Sequence, residues 1–443
     1  MRIQLSDHFN YSRLLRFVLP SIVMMVFTSI YSVVDGLFVS NFVGKTPFAA
    51  INLIMPLLMM LGALGFMIGT GGSALVSRTL GEGDQERANR YFSMLIYVTF
   101  LLGAALTLLG QLFLRPIAGF LGAQGPMLEH CVLYGRILLV ALIPFMLQNV
   151  FQSFLITAER PHLGLATTVA AGVTNIILDF LFVAVFHWGL AGAAVATTIS
   201  QMVGGIFPLV YFLLPNHSLL RLRRAPFDGR ALLKTCANGS SELMTNLSAS
   251  LVNMLYNFQL MRIAGEDGVA AYGVIMYTNF IFAAIFIGYS IGSAPLVGYH
   301  YGAENRHELQ NLFRKSLLLI GLFGLVLTAL AELLSGPLTA LFVGYDAQLL
   351  DLTRRGFRLY SLSFLFSGFS MFGSAFFTAL SNGLVSAAIS FLRTLVFQVS
   401  AVLILPLLLG VDGVWLAIVA AELLALGITV LFLLCNRSKY HYA

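Results

Sequence analysis

Residues 14–39 read LLRFVLPSIVMMVFTSIYSVVDGLFV. Beyond Arg16 this run holds a single formal charge, Asp35. A helix rises about 1.5 Å per residue, so the run is long enough to cross ~30 Å of hydrocarbon. Asp35 would then stand roughly 30 Å up from the start of the span, near its far end. A charge at mid-bilayer costs about 2.5–3.5 kcal/mol on insertion scales. The carboxylate therefore needs a reason to be there.

The rest of the chain repeats the pattern of this run. Of its 443 residues 58% are hydrophobic and 10% are charged, against about 25% charged in a soluble domain. Mean hydropathy is +0.89. Apolar stretches are expected to form twelve spans, at 14–39, 48–76, 91–114, 131–155, 163–186, 189–214, 231–261, 269–297, 315–338, 352–380, 384–409 and 412–435. This is the pattern of an all-α polytopic membrane protein. The first run lacks a small-x-small cleavage site and is read as a retained helix. Pro20, Pro56, Pro144, Pro208, Pro295 and Pro406 fall inside spans and are candidate bend points.

Charge and motif content narrow the function. The net charge is +6, but the basic residues follow topology and do not suggest nucleic-acid binding. With the first residues inside, the inner loops and tails hold seventeen Lys and Arg, among them Arg2, Arg78, Arg221, Arg223, Arg224 and Lys315, and the outer loops hold six. That asymmetry is expected to place both termini in the cytoplasm, with anionic lipid as a contact. Cys131, Cys236 and Cys435 are too few and too scattered for a disulfide framework or a metal site. The chain has no HExxH, no Walker A and no GxSxG in a usable context, so an enzyme is not expected. Without an ATP site, uphill transport has to be driven by an ion.

The chain is also duplicated. FVSNFVG ends at Gly44 and LMRIAG at Gly265; GTGGSALVSRTLG ends at Gly81 and SIGSAPLVGYHYG at Gly302; Gly192 and Gly413 close a third pair. Each pair is 221 residues apart. A constant offset over most of the chain marks an internal repeat. Six spans per copy is an even number, so the copies share one orientation and a pseudo-two-fold axis along the membrane normal. The expected division is an N-terminal six-helix bundle at 1–215, a polar cytoplasmic linker at 216–230 and a C-terminal bundle at 231–443. Rocking one bundle against the other would give alternating access to a central cavity.

Buried polar residues mark the candidate site. NIILD places Asn175 and Asp179 four residues apart on one helix face, and Tyr31 stands in the same relation to Asp35. Asp35, Asp179 and Thr197 all fall in the outer half of the N-terminal bundle. Two carboxylates with an amide and a hydroxyl suit a proton, or a small hard cation such as Na⁺. The plain alternative is that Asp35 and Asp179 only pin helix packing; two acids at matching depth in neighbouring spans favour function. The second half has no such pair, because the offset sets Tyr256 opposite Asp35 and Ser400 opposite Asp179. It has Glu242, Arg393 and Glu422 near the midplane instead. Arg393 is expected to pair with a glutamate. Glu242, grouped with Tyr31 and Tyr256, is the candidate for substrate contact or a second proton site. Arg136 and Glu332 lie near the outer ends and are expected to snorkel.

LPSIVMMVFTSIYSVVDGLFVSNFVG, NLIMPL, GTGGSALVSRTLGEGD, NIILD and GLAGAAVATTISQ, in this order and spacing, resemble the multidrug and toxic compound extrusion (MATE) family, and the similarity covers nearly the whole chain. The resemblance implies antiport of organic, often cationic, compounds out of the cell against H⁺ or Na⁺. It implies a coupling site at Asp35, Asn175, Asp179 and Thr197, and bending of the first helix at Pro20. It implies no organic cofactor. Some branches of the family carry a span-7 Glu, which Glu242 resembles, together with a span-10 Asp; span 10 here has no acid. The expected protein is a monomer whose partners are small organic substrates and membrane lipid. A flippase for a lipid-linked saccharide or other amphiphile is the alternative, disfavoured because, away from the span ends, Arg136 and Arg393 are the basic residues the spans hold. A channel or receptor fits the paired halves and buried acids less well.

Overall fold

A computed structural model describes residues 3–443. Met1 and Arg2, the latter counted above on the inner side, lie outside the described residues. All regular structure among them is helical. The first half contains α1 (Tyr11–Phe42), α2 (Lys45–Gly81), α3 (Gln85–Phe120), α4 (Pro126–Val140), α5 (Leu142–Thr157), α6 (Pro161–Asp179) and α7 (Gly189–Leu213). The second contains α8 (Gly229–Gly302), α9 (Arg306–Val343), α10 (Ala347–Ser361), α11 (Phe364–Ala379), α12 (Gly383–Phe391), α13 (Gln398–Leu409) and α14 (Val411–Tyr440). Helix starts follow their capping residues. Asn10, Asp84, Asp228, Asn305, Asp346 and Asn382 each accept a backbone N–H of the first turn.

Among the described residues nine unbroken helices are long and apolar enough to cross a membrane, and two bent pairs supply two further crossings. α8 has to be counted twice. Its 74 residues would make a rod of about 110 Å, far beyond ~30 Å of hydrocarbon. At Gly265 the backbone takes φ 67° and ψ −153°, a conformation open to glycine, and the chain turns back. The Tyr256 ring stacks on Tyr272 at 5.0 Å, and the Tyr272 hydroxyl donates to Asn253 Oδ1 at 2.7 Å. α8 is thus a hairpin of two limbs, 229–264 and 266–302, and the crossings number twelve, as expected.

Two spans bend. α4 and α5 meet at 54° around Ala141, three residues before Pro144, whose ring crowds the carbonyl of residue 140. α10 and α11 meet at 48° with no proline at the joint. There the N–H groups of Ser363, Leu365 and Phe366 bond three residues back and tighten the chain. α1 runs unbroken through Pro20. Outward-facing leucines, such as Leu101, Leu108 and Leu112 on α3, form the apolar surface that lipid would cover.

Glycines bring the two halves together at the end that carries both termini. A Cβ on Gly81 would lie 2.0 Å from the carbonyl oxygen of Tyr299, and one on Gly302 would lie 2.0 Å from that of Arg78. Tyr299 is Arg78 displaced by 221, as Gly302 is Gly81. The two contacts are one contact repeated about the pseudo-two-fold axis. Farther in, Gly71 meets the backbone of Thr235 and Gly239 across the interface, and Gly292 meets Val18 and Ser21. Toward the opposite end a Cβ at Gly36, Gly44, Gly265 or Gly273 would meet nothing from the other half within 4 Å.

Two further segments cross this closed end. The stretch from 214 to 228, between α7 and α8, is fastened to α3. The Asn89 side chain accepts Arg221 N–H at 2.8 Å, Ser93 accepts Arg223 N–H at 2.8 Å, and Gln85 Nε2 donates to the Leu219 carbonyl at 3.0 Å. The N-terminal strap, residues 3–10, ties the halves. Leu5 N–H donates to Glu159 Oε1 at 2.7 Å in the first half. Phe9 N–H donates to Glu308 Oε1 at 2.9 Å in the second, and His8 Nδ1 lies 2.6 Å from Glu308 Oε2. Burial alone would push the Glu308 carboxyl up, but the Phe9 N–H, His8 and the Asn311 amide outweigh it and hold it below the ordinary glutamate value. A depressed folded value means this anchoring is present above the unfolded pKa and lost as pH falls through the folded one. Amide exchange at Phe9, taken relative to its intrinsic rate at each pH, is expected to be slow at neutral pH and fast once the pH drops below the usual glutamate range. Glu308→Gln should speed it at neutral pH, and unchanged exchange in that variant would refute the anchor.

Candidate functional site

The first half encloses a chamber with ≈ 840 Å³ of atom-free space, lined in part by Tyr31, Asp35, Gln148, Asn175, Thr197 and Gln201. α1 carries Asp35 in, α6 carries Asn175, and α7 carries Thr197. Asp179 is fully buried and lies against the Asp35 carboxyl, with Asn175 also within reach of Asp35. Asp179 is the last residue of α6, where the helix widens into a π turn at Phe180–Val185; such turns recur at functional sites. All four residues of the expected coupling site therefore meet in one place.

These acids are short of hydrogen donors. Among the described residues, Asp35 Oδ1 and both carboxyl oxygens of Asp179 have no hydrogen-bond partner. Two ionised carboxylates cannot donate to one another, and a buried unpaired charge is costly. One proton shared between them, or one cation held by them, closes the deficit. The polar side chains that line the chamber are carboxylate, amide and hydroxyl groups, the kind of oxygen set that suits a hard cation. Tyr134, on α4, faces the same pair from the far side, and its hydroxyl reaches only Met55 Sδ at 3.9 Å. The sequence reading missed it, because Tyr134 has no periodic relation to either acid.

A second cavity, with ≈ 860 Å³ of atom-free space, lies between the halves. Glu242 on α8 lines it with no hydrogen-bonding or ionic partner for its carboxylate among the described residues. Around it stand hydroxyls from both halves, Thr70, Ser73 and Ser153 from the first and Ser290, Ser370, Ser374 and Thr378 from the second. The i, i+4 spacing of Ser370, Ser374 and Thr378 was the available signal for this wall.

A third chamber, of ≈ 800 Å³, lies within the second half and holds the expected ion pair. Arg393 Nε donates to Glu422 at 2.9 and 3.0 Å, and Nη2 donates at 2.7 Å. Arg393 belongs to the other π turn, Leu392–Phe397. Tyr256 is packed on Tyr272 and does not line the central cavity. Glu332, expected only to snorkel, accepts from Ser361 at 2.9 Å and lies 3.7 Å from Arg358 Nε. Arg136 is exposed.

Comparison with known proteins agrees with this architecture. The MatE family model matches twice, at residues 20–181 and 243–404. The chain belongs to the MatE family. Two matches in one chain fit the duplicated halves, and the family sets this protein among membrane transporters and outside the enzymes. A MatE relative, the multidrug export protein MepA of Staphylococcus aureus (strain MRSA252), is 22% identical over 430 residues, 96% of this chain and 94% of that protein. The outward-facing conformation of a multidrug resistance MATE family transporter of the MOP superfamily superposes with a TM-score of 0.92 at 24% identity, over 97% of this chain and 96% of the other. A MOP superfamily transporter from Pyrococcus furiosus gives 0.89 at 23% identity, over 96% of each chain.

Proposed function

We propose that this MatE protein exports small organic cations in exchange for H⁺ or Na⁺ by alternating access. Residues 1–215 and 231–443 would act as two lobes across the 216–230 linker, with the termini in the cytoplasm of a prokaryotic inner membrane. The observation that carries this reading is the donor-less pair Asp35 and Asp179, open to the first chamber through Asp35. Empty, the two carboxylates repel; with one proton or one Na⁺ between them they are satisfied. Asn175 and Thr197 supply neutral oxygens beside them, and Tyr31 stands one turn below Asp35. Loading and unloading this pair changes the local charge by one, which is the property a coupling site needs.

The central cavity would take the substrate, and Glu242 is its unpaired charge. An unpaired acid among hydroxyls, with the lining Arg393 already neutralised by Glu422, favours a molecule that carries a cation and disfavours a phosphate-bearing lipid, so the flippase reading is the weaker one. The coupling test is export of a fluorescent organic cation from proteoliposomes under a pH gradient alone, then a Na⁺ gradient alone. Export under neither gradient would overturn the antiport reading. Glu242→Gln is expected to weaken cation binding by about 10- to 100-fold, the loss of one charge-assisted contact worth roughly 1.5–3 kcal/mol. Binding titrations of tetraphenylphosphonium to the two proteins would measure it, and equal affinities would remove Glu242 from the site.

A further inference from the structure

We infer that the central cavity selects zwitterions, with Glu242 taking the cationic end and Arg393 a carboxylate. This rests on the reading of that cavity as the substrate site. Arg393 lines two spaces at once, the central cavity and the chamber of the second half, whereas Glu422 lines only the latter. Arg393 thus stands between the two spaces. Its Nε and Nη2 are spent on Glu422, and Nη1 takes no part in that pair. An arginine has five N–H donors in a fixed fork, so the Nη1 edge remains able to donate. Charge-assisted bonds from such an edge suit a carboxylate.

Two hydroxyls extend the donor surface. Ser290 Oγ and Ser370 Oγ line the same cavity, are buried, and have no hydrogen-bond partner among the described residues. Ser374, by contrast, is already bonded to Ser386 and Ser390. Buried polar groups are normally satisfied, so unspent donors in a cavity mark where a ligand's acceptors fit. Glu242 on α8 and Arg393 on the π turn at Leu392–Phe397 line one cavity and present one group for each sign.

Rhodamine B, which carries a cationic xanthene and a carboxylate, and its ethyl ester, which keeps only the cation, make a matched pair. Each would compete with labelled tetraphenylphosphonium for counterflow into proteoliposomes. For the wild-type protein the acid is expected to compete at about tenfold lower concentration than the ester. Arg393→Gln with Glu422→Gln removes the guanidinium without orphaning a buried charge, and should erase that preference while leaving ester competition unchanged. Arg393→Lys, which retains the pairing charge but lacks the fork, should erase it too and serves if the double variant does not fold. Equal competition by acid and ester in the wild type, or a preference that survives these variants, would overturn the proposal alone. Failure of both compounds to compete would overturn it together with the substrate-site reading.

Discussion

Asp179→Asn is expected to abolish ion-driven export while the protein still folds. The Asn amide supplies the donor that a shared proton would supply, so the buried Asp35 carboxylate is satisfied and the chamber stays closed up. What is lost is the ability to gain and release a charge. Asp35→Asn should act in the same way from the other side of the pair. Reconstituted at equal density, each variant should show uphill export at background under a pH or a Na⁺ gradient, and a melting temperature close to that of the wild type. Uphill export equal to wild type in either variant would show that the pair only pins the helices. A much lowered melting temperature with residual coupling would point to packing for the same reason. Asn175→Ala and Thr197→Ala, which remove neutral ligands, should weaken coupling less than either acid.

Gly81→Ala is expected to be as damaging, for a different reason. The new methyl would lie 2.0 Å from the Tyr299 carbonyl oxygen, and no backbone atom can stay so close. The halves would have to part at the end bearing the termini. Overpacking of this kind costs typically about 1–3 kcal/mol, and that is roughly a 5- to 150-fold shift in a two-state equilibrium. The closed arrangement described here would lose population to its opposite. Gly302→Ala should do the same to the same extent, because it is the symmetry-related contact. Thiol labelling at Ser77→Cys, in a background without the native cysteines, reads the opening, since Ser77 is fully buried at this interface. Both alanine variants should label faster and transport more slowly. Unchanged labelling in both would show that the glycine contact does not hold the halves together.

That symmetry was legible before any coordinates. Gly81 and Gly302 recur at one offset because close backbone approach leaves no room for a side chain, and Gly44 and Gly265 because both take a positive φ. The residues of the proposed coupling site stand out for a related reason: a carboxylate in an apolar span is conspicuous, and Asn175 and Asp179 lie one turn apart. The hairpin at Gly265 was legible because 231–261 and 269–297 are each long enough to span. The bend at the α10–α11 joint was not, because it arises from three short hydrogen bonds with no proline to signal it. The strap was not either, since Glu308 lies 299 residues from Phe9, and nothing local to either residue announces the partner. Tyr134 and the serine wall became visible only when distant helices were set side by side.

The connection between the halves has a mechanical consequence. Because Asn89, Ser93 and Gln85 hold the stretch around 219–223 against α3, the joining segment is a splint carried by the first bundle. A rocking motion cannot be absorbed along its length. It has to be taken up where the splint ends, at Asp228, whose side chain caps the next helix through Arg230 and Ala231. That leaves one swivel of a residue or two, and a swivel so short permits rotation between the bundles while forbidding them to drift apart.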